Sequence, residues 1–202
     1  MRLGFLASLA LVSILSWSCG SSDGGSGGGG TPGSDNPDLN DGGQRPVNCE
    51  NAWTAYVKSH PKGLKLKYQT NGAGQLQIFT NEVTASNEEA ITETYRGTSG
   101  SNETTITKAE FLNSCKQGTG NPSDQPRGTL EESKKTTIKV RAGEFKTNYV
   151  RYRMEMDTET TSLSEVWSSD DSYHFLVKQI TTTEVSGTRY EVTTELLEAR
   201  IP

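Results

Sequence analysis

Residues 147–156 read TNYVRYRMEM and form the clearest strand pattern in the chain. Apolar or aromatic side chains stand at every second position, with arginine or glutamate between them. Successive strand residues point to opposite faces, so this period of two predicts one buried face and one solvated face. The buried set is Val150, Tyr152, Met154 and Met156.

The sequence around this segment predicts more strands of the same kind. We expect them at 136–140, 163–167, 173–180 and 189–197, with turns at 142–143, 169–171 and 186–187. In the last strand Tyr190, Val192, Thr194 and Leu196 share a face. Consecutive antiparallel strands with one apolar face predict an α+β, β-rich domain on a curved antiparallel sheet, without a second full layer.

The apolar face of these strands is a candidate ligand groove, since methionine adapts to irregular apolar shapes. Its predicted lining is Val150, Tyr152, Met154, Met156, Trp167, Tyr190 and Val192. The alternative is that these side chains simply pack as a core.

The N-terminal half predicts short helices beside a hairpin. Residues 48–59 carry apolar side chains at helical spacing, and Pro61 stops the run. Residues 64–68 alternate as a strand, Asn71-Gly72 indicates a turn, residues 90–96 a third strand and residues 97–102 a loop. Thr107 and Glu110 form a capping box that begins a second helix, ending at Cys115.

Cys49 and Cys115 each lie on a helix that we expect to be amphipathic, which makes them a plausible disulfide pair. The alternatives are disulfides from Cys19 to either one, and lipid on Cys19 would forbid both. No cofactor and no metal site is expected, because His60 and His174 show no ligand spacing.

The N-terminus has the pattern of an export signal. Arg2 and the apolar run Leu3–Leu15 precede small residues at a cut before Cys19, and this run is too short for a stable membrane span. Residues 20–46 hold ten glycines and no aromatic residue, so we expect a flexible tether. The predicted organisation is signal peptide 1–18, lipidated Cys19 and tether 19–46, and β-rich domain 47–202.

This N-terminal layout resembles that of bacterial lipoproteins, which implies that Cys19 is acylated and anchors the chain in the cell envelope. In this family the residue after the acylated cysteine directs sorting, and Gly20 in place of Asp at that position implies the outer membrane. The alternative is an ordinary secretory signal cut after Ser18, which would export the chain without lipid. Leu15 stands one place earlier than the family's motif has it, and Trp17 is bulkier than usual.

Composition narrows the function classes. Loss of Arg2 with the signal takes the formal net charge from −5 to −6. An acidic chain without a basic stripe argues against nucleic acid as a partner and against electrostatic binding to anionic headgroups. His174 lies near Asp170 and Asp171, but without a nucleophile motif. We therefore expect the side chains at these positions to stabilise a turn, in preference to catalysis or a calcium site.

Three short motifs in residues 130–200 resemble a pattern of bacterial envelope proteins. They are IKVRAGEFKT at 138–147, Glu165-Val166-Trp167 and Leu176-Val177-Lys178. The resemblance is to the half-barrel of Lol-type and LppX-like periplasmic lipoprotein carriers, and it implies an incomplete antiparallel barrel around an apolar groove. It brings no functional residue with it.

Together these patterns favour a membrane-anchored, non-enzymatic envelope lipoprotein that binds a lipid or another apolar ligand in its groove. The alternative is a structural or interaction lipoprotein, with a filled core and an envelope protein as its partner.

Overall fold

The computed structural model describes residues 48–117, 127–155 and 160–202. The predicted signal peptide, Cys19, the tether and Met156 lie outside the described residues. The described chain is rich in β-structure, with two helices and nine strands. These elements are α1 (Cys49–Ser59), β1 (Lys65–Gly72), β2 (Gln75–Ser86), β3 (Ala90–Gly97), β4 (Gly100–Thr107), α2 (Lys108–Gln117), β5 (Arg127–Val140), β6 (Gly143–Glu155), β7 (Thr160–Ser169), β8 (Leu176–Val185) and β9 (Thr188–Arg200).

The nine strands form one antiparallel sheet in the order β4-β3-β2-β1-β9-β8-β7-β6-β5. Strands β1–β4 and β5–β9 are two meanders, and α2 leads from the first to the second. They are joined because β1 pairs with β9, where Tyr68 lies opposite Leu196. The first and last strands therefore adjoin near the centre of the sheet.

The C-terminal meander curls back on itself at one end. The turn between β5 and β6 reaches β9, although three strands separate β5 from β9 in the sheet. Ala142 N–H donates to the Leu196 carbonyl at 3.4 Å. Arg141 donates through its backbone N–H to Glu195 (3.2 Å) and through its guanidinium to Gln69 (3.4 Å). These contacts hold the curl, which a flat sheet could not make.

Side-chain caps set where both helices begin. The Asn48 side chain accepts from the Asn51 N–H at 3.1 Å, as an N-cap should. In the predicted capping box, Thr107 Oγ1 accepts from the Glu110 N–H, and Glu110 accepts from the Thr107 N–H at 2.9 Å. This hydrogen bond from the Thr107 backbone has the larger effect on the pKa of Glu110, and a second one from the Thr107 hydroxyl has the smaller; both lower it. No helix among the described segments is both long and apolar enough to cross a membrane.

The core lies between the helices and the sheet. Trp53 of α1 is only 2% exposed, and its Nε1 donates to the Glu88 carbonyl at 2.7 Å. Its ring centroid lies 5.3 Å from that of Phe111 in α2. Ile91 and Leu196 are fully buried in the same cluster. Full burial of such side chains stabilises the fold by roughly 1.5–3 kcal/mol each.

Two local predictions were wrong. Asn71 and Gly72 do not form the turn, because they pair with Leu76 and Gln75 as the end of the β1–β2 ladder. The turn lies at Ala73-Gly74, where both φ angles are positive, as a two-residue hairpin turn demands. The loop expected at 97–102 is a tight turn, and β4 begins at Gly100. Its polar residues suit a strand at the exposed edge of the sheet.

Candidate functional site

Most of the predicted groove residues share one face of the sheet. Directly opposite residues on paired strands point the same way. Tyr152 lies opposite Ser164, Ser164 opposite Thr181, and Thr181 opposite Val192. The same register places Val150, Met154 and Tyr190 on this face. We call it the Tyr152 face.

Trp167 lies on the other face, which corrects the predicted groove. It is opposite Tyr149, whereas Val150 is opposite Val166. The rings of Tyr149 and Trp167 are 4.9 Å apart between centroids, and Lys178 lies opposite Trp167 on β8. We call this the Trp167 face. Among the predicted groove residues that the structure describes, Trp167 is the one that lies on the Trp167 face.

On β6–β9 the Tyr152 face is a row of hydroxyl groups flanked by apolar side chains. Ser162 and Ser164 are buried, and the Ser164 hydroxyl lies 3.1 Å from that of Thr181. Tyr152 is half-buried, while Tyr190 is 53% exposed. Tyr152 and Tyr190 therefore lie at the surface of this face, whereas Val166 and Leu196 on the same face are buried.

On β1–β4 the chain's own side chains fill the same face. Tyr68 lies on it, opposite Leu196, and stacks on Phe79 at 5.3 Å; Phe79 in turn contacts Tyr95 at 5.4 Å. The Tyr68 hydroxyl donates to the Leu176 carbonyl at 3.0 Å. Burial, and next the charge of Glu93, raise the pKa of Tyr68 above its usual range. The phenol is therefore a neutral structural donor.

His60, at the end of α1, lies close to Ser59 and Glu93, but it serves as the C-cap of the helix. Its Nδ1 lies 2.8 Å from the Tyr56 carbonyl, which can only accept, so Nδ1 carries a proton. The Ser59 hydroxyl donates to the same carbonyl at 2.9 Å. Because Nδ1 is a donor, it cannot take a proton from Ser59. His60 Nε2 lies 3.6 Å from Glu93 and links α1 to β3.

The acidic turn near His174 has the turn chemistry that the sequence favours. Asp171 accepts from the backbone N–H groups of Tyr173 (2.9 Å) and His174 (3.2 Å), and from the Ser169 hydroxyl. Lys135 and then Asn148 hydrogen-bond to Asp170 and lower its pKa. Both carboxylates thus have partners within the fold. Across the described ranges, no three His, Cys, Asp or Glu side chains are grouped to hold a metal ion.

A shallow depression of about 200 Å³ lies beside this turn. It is lined by Lys135, Thr136, Thr137, Lys146, Thr147 and Asp170. None of the predicted groove residues lines it, so it is not the apolar groove expected from the sequence.

Sequence reasoning missed Tyr149 and its partners on the Trp167 face. Tyr149 is 5% exposed, and its hydroxyl donates to Glu165 at 2.8 Å. Burial, and next this hydrogen bond, raise the pKa of Tyr149 to about 12. Lys134 and Lys178 lie over the Tyr149 and Trp167 rings at 5.1 and 5.8 Å. The alternation of residues 147–156 puts Tyr149 on the strand face of Arg151, which the sequence predicts to be solvated, so this pattern gave no sign that Tyr149 is buried.

The Cys49–Cys115 disulfide is confirmed. Its Cα atoms are 5.9 Å apart, and it links α1 to α2. The predicted lipidation site, Cys19, lies outside the described residues.

Comparisons with known proteins find distant likenesses in fold. No protein-family model and no curated protein matches the chain. Its fold is similar to that of a predicted lipoprotein from Parabacteroides distasonis (TM-score 0.42, 12% identity), over 72% of this chain and 98% of that one. It is also similar to a predicted exported protein with a YmcC-like fold from Bacteroides fragilis (TM-score 0.44, 13% identity, 70% and 97% coverage).

A further likeness is to a chain of the MucA/MucB complex of Pseudomonas aeruginosa, with a TM-score of 0.43 and 8% identity. It covers 76% of this chain and 57% of that one. At such identities and TM-scores, these likenesses carry no argument about function.

Proposed function

We propose that this chain is an exported envelope lipoprotein of bacteria, anchored through Cys19, that acts as a non-enzymatic interaction domain. Its fold is a Lol-type half-barrel whose concave side is occupied by its own side chains. The outer membrane is its location, and an envelope component is its partner. This is the filled-core alternative of the two functions that the sequence suggests.

The disulfide supports export. Disulfides persist in oxidising compartments and are rare in the cytosol. Cys49 and Cys115 are joined across α1 and α2. The chain has three cysteines, so Cys19 is then the one outside this disulfide. Acylation would use it, in keeping with the signal-like segment before it.

The filled face over β1–β4 is the observation that carries the interaction function. A lipid carrier needs unoccupied apolar volume, of the kind found in ligand pockets of roughly 300–1,000 Å³. Here Trp53 and Phe111 of the helices pack with Leu66, Tyr68 and Ile91 of the sheet, and each of these is at most 9% exposed. An acyl chain would have to displace these side chains.

The decisive experiment is mass spectrometry of organic extracts from the purified chain carrying Cys19→Ala, which removes the anchor lipid. We expect no stoichiometric lipid in the extract. A bound lipid at one equivalent would contradict the filled core and restore the carrier function.

The anchor has its own test. Mass spectrometry of the mature N-terminus should find acyl chains on Cys19, and none should be found after Cys19→Ala. An unmodified N-terminus at Cys19 in the wild-type chain would instead mean plain secretion.

A further inference from the structure

Exposed apolar side chains cluster at one end of the sheet. Within the described segments, the large apolar residues that are exposed are Leu76 (58%), Ile78 (40%), Val185 (39%), Tyr190 (53%), Val192 (41%) and Ile201 (41%). All but Ile201 belong to the β1–β2 and β8–β9 hairpins, close to their turns. These hairpins are neighbours, because β1 pairs with β9 and Gly72 lies opposite Val192. We call the turn-proximal parts of both, residues 71–78 and 185–192, the hairpin end.

The hairpin end carries exposed apolar side chains on both faces of the sheet, those of β9 on the Tyr152 face and those of β2 on the Trp167 face. Val192 and Tyr190 lie on the Tyr152 face. Ile78 lies opposite Gln69, and Gln69 opposite Glu195, which places Ile78 on the Trp167 face. Leu76, two residues away on the same strand, shares that face. A protein that docks on a sheet covers one face, whereas these residues project from both.

The hairpin end also projects, and its β1–β2 part carries no charged residue. β9 begins at Thr188, and the first of its residues that pairs with β1 is Val192, four residues later. At about 3.3 Å per residue, the β8–β9 hairpin therefore extends roughly 13 Å past β1. Residues 69–81 contain no charged side chain. The charged residues of the β8–β9 tip, Glu184, Arg189 and Glu191, share the Trp167 face, since Glu184 lies opposite Arg189. This charge limits insertion to a shallow depth.

We propose that the hairpin end docks on the surface of a lipid bilayer. A bilayer surrounds an inserted tip on all sides and so covers apolar residues of both faces at once. Tyr190 suits the interface, because its ring is apolar and its hydroxyl stays in contact with water. The chain is acidic, so the contact is apolar and does not depend on headgroup charge. The inference rests on the proposed membrane location, which brings the domain to the bilayer at high effective concentration.

Vesicle flotation tests the contact without the anchor. The probe is phosphatidylcholine vesicles, and the protein is the mature chain with Cys19→Ala. Two double variants remove one face each: Leu76→Ser with Ile78→Ser, and Tyr190→Ser with Val192→Ser. Ile201→Ser is the matched control, because Ile201 is equally exposed but outside the hairpin end. Thermal unfolding checks that each variant is folded.

We expect the parent chain to float with the vesicles in high and low salt. Each double variant should lose roughly tenfold or more in vesicle affinity, while Ile201→Ser stays within about twofold of the parent. A parent chain that remains at the bottom of the gradient overturns the proposal. Equal loss in the Ile201→Ser control also overturns it.

A protein partner is the competing outcome. In that case the double variants would bind vesicles as the parent chain does. They would no longer crosslink in cells to an envelope protein that crosslinks to the parent chain. This result would reject docking on the bilayer. The anchor is judged separately by the mass of the mature N-terminus. If the mature N-terminus carries no acyl group but the chain still floats with vesicles, the lipoprotein proposal is wrong and the proposal of a bilayer-docking surface stands.

Discussion

Tyr149 and Trp167 face each other across β6 and β7, with their ring centroids 4.9 Å apart. This pair defines a face of the C-terminal meander with its own aromatic and ionic cluster. Glu165 accepts from Tyr149, and Glu131 lies 3.0 Å from Arg151 and 2.7 Å from Arg153. The face opposite the predicted groove is therefore packed and not merely solvated.

Replacement of Tyr149 should cost more than replacement of Tyr152. Tyr149→Ala removes a nearly buried ring and its hydrogen bond, so we expect about 3–4 kcal/mol less free energy of unfolding. Tyr152→Ala, at a half-buried position, should cost about 1–2 kcal/mol. Urea unfolding of both variants measures this difference. Equal losses would mean that the two tyrosines are equally buried.

Tyr149 should also make stability depend on alkaline pH. Its pKa is about 12 in the folded chain and ordinarily 10. A raised pKa means that its contribution is fully present below pH 10 and is lost as pH rises through 12. Tyr149→Phe should be less stable at pH 8 by about 1 kcal/mol, yet lose less stability between pH 10 and 12. Tyr68, also with a raised pKa, remains in both proteins. Parallel stability curves would contradict the prediction.

Loss of the disulfide should destabilise the domain strongly. Cys49 and Cys115 are 66 residues apart, and the chain-entropy model gives about 4 kcal/mol for a loop of this length. We expect the double variant Cys49→Ala/Cys115→Ala to lose about this much free energy of unfolding. Reduction of the wild-type chain should lower its melting temperature similarly. A double variant as stable as the oxidised chain would refute this.

The capping box should contribute to α2. Thr107→Ala removes the acceptor for the Glu110 N–H, and we expect a loss of about 1 kcal/mol. The pKa of Glu110 is lowered in the folded chain, so its contribution should be present at neutral pH and vanish as pH falls through the lowered pKa. Thr105→Ala, on the exposed edge strand, is the control. Acid titration of Glu110 by NMR should show its pKa rise in Thr107→Ala.

Local chemistry in the sequence was enough to predict several elements. Asn48 and Thr107 mark the helix starts because their side chains complete backbone hydrogen bonds within three residues. Alternation in residues 147–156 correctly placed Val150, Tyr152 and Met154 on one face. The cysteine pairing followed from two apolar helix positions. Each of these inferences needed only residues close together in the chain, or a count of cysteines.

Tertiary structure alone decided which strand faces align. β7 carries Leu163 and Trp167 on one face and Val166 on the other, so its own sequence does not say which side meets the groove. Pairing settles this, because Glu165 lies opposite Arg151 and a slip of one residue would reverse every side chain. The same holds for the β1–β9 pairing and for the packing of α1 and α2 against Leu66, Tyr68 and Ile91. The β1–β9 pairing joins residues more than a hundred positions apart, and Trp53 of α1 packs on Phe111, which is far from it in the chain, so no local pattern encodes either arrangement.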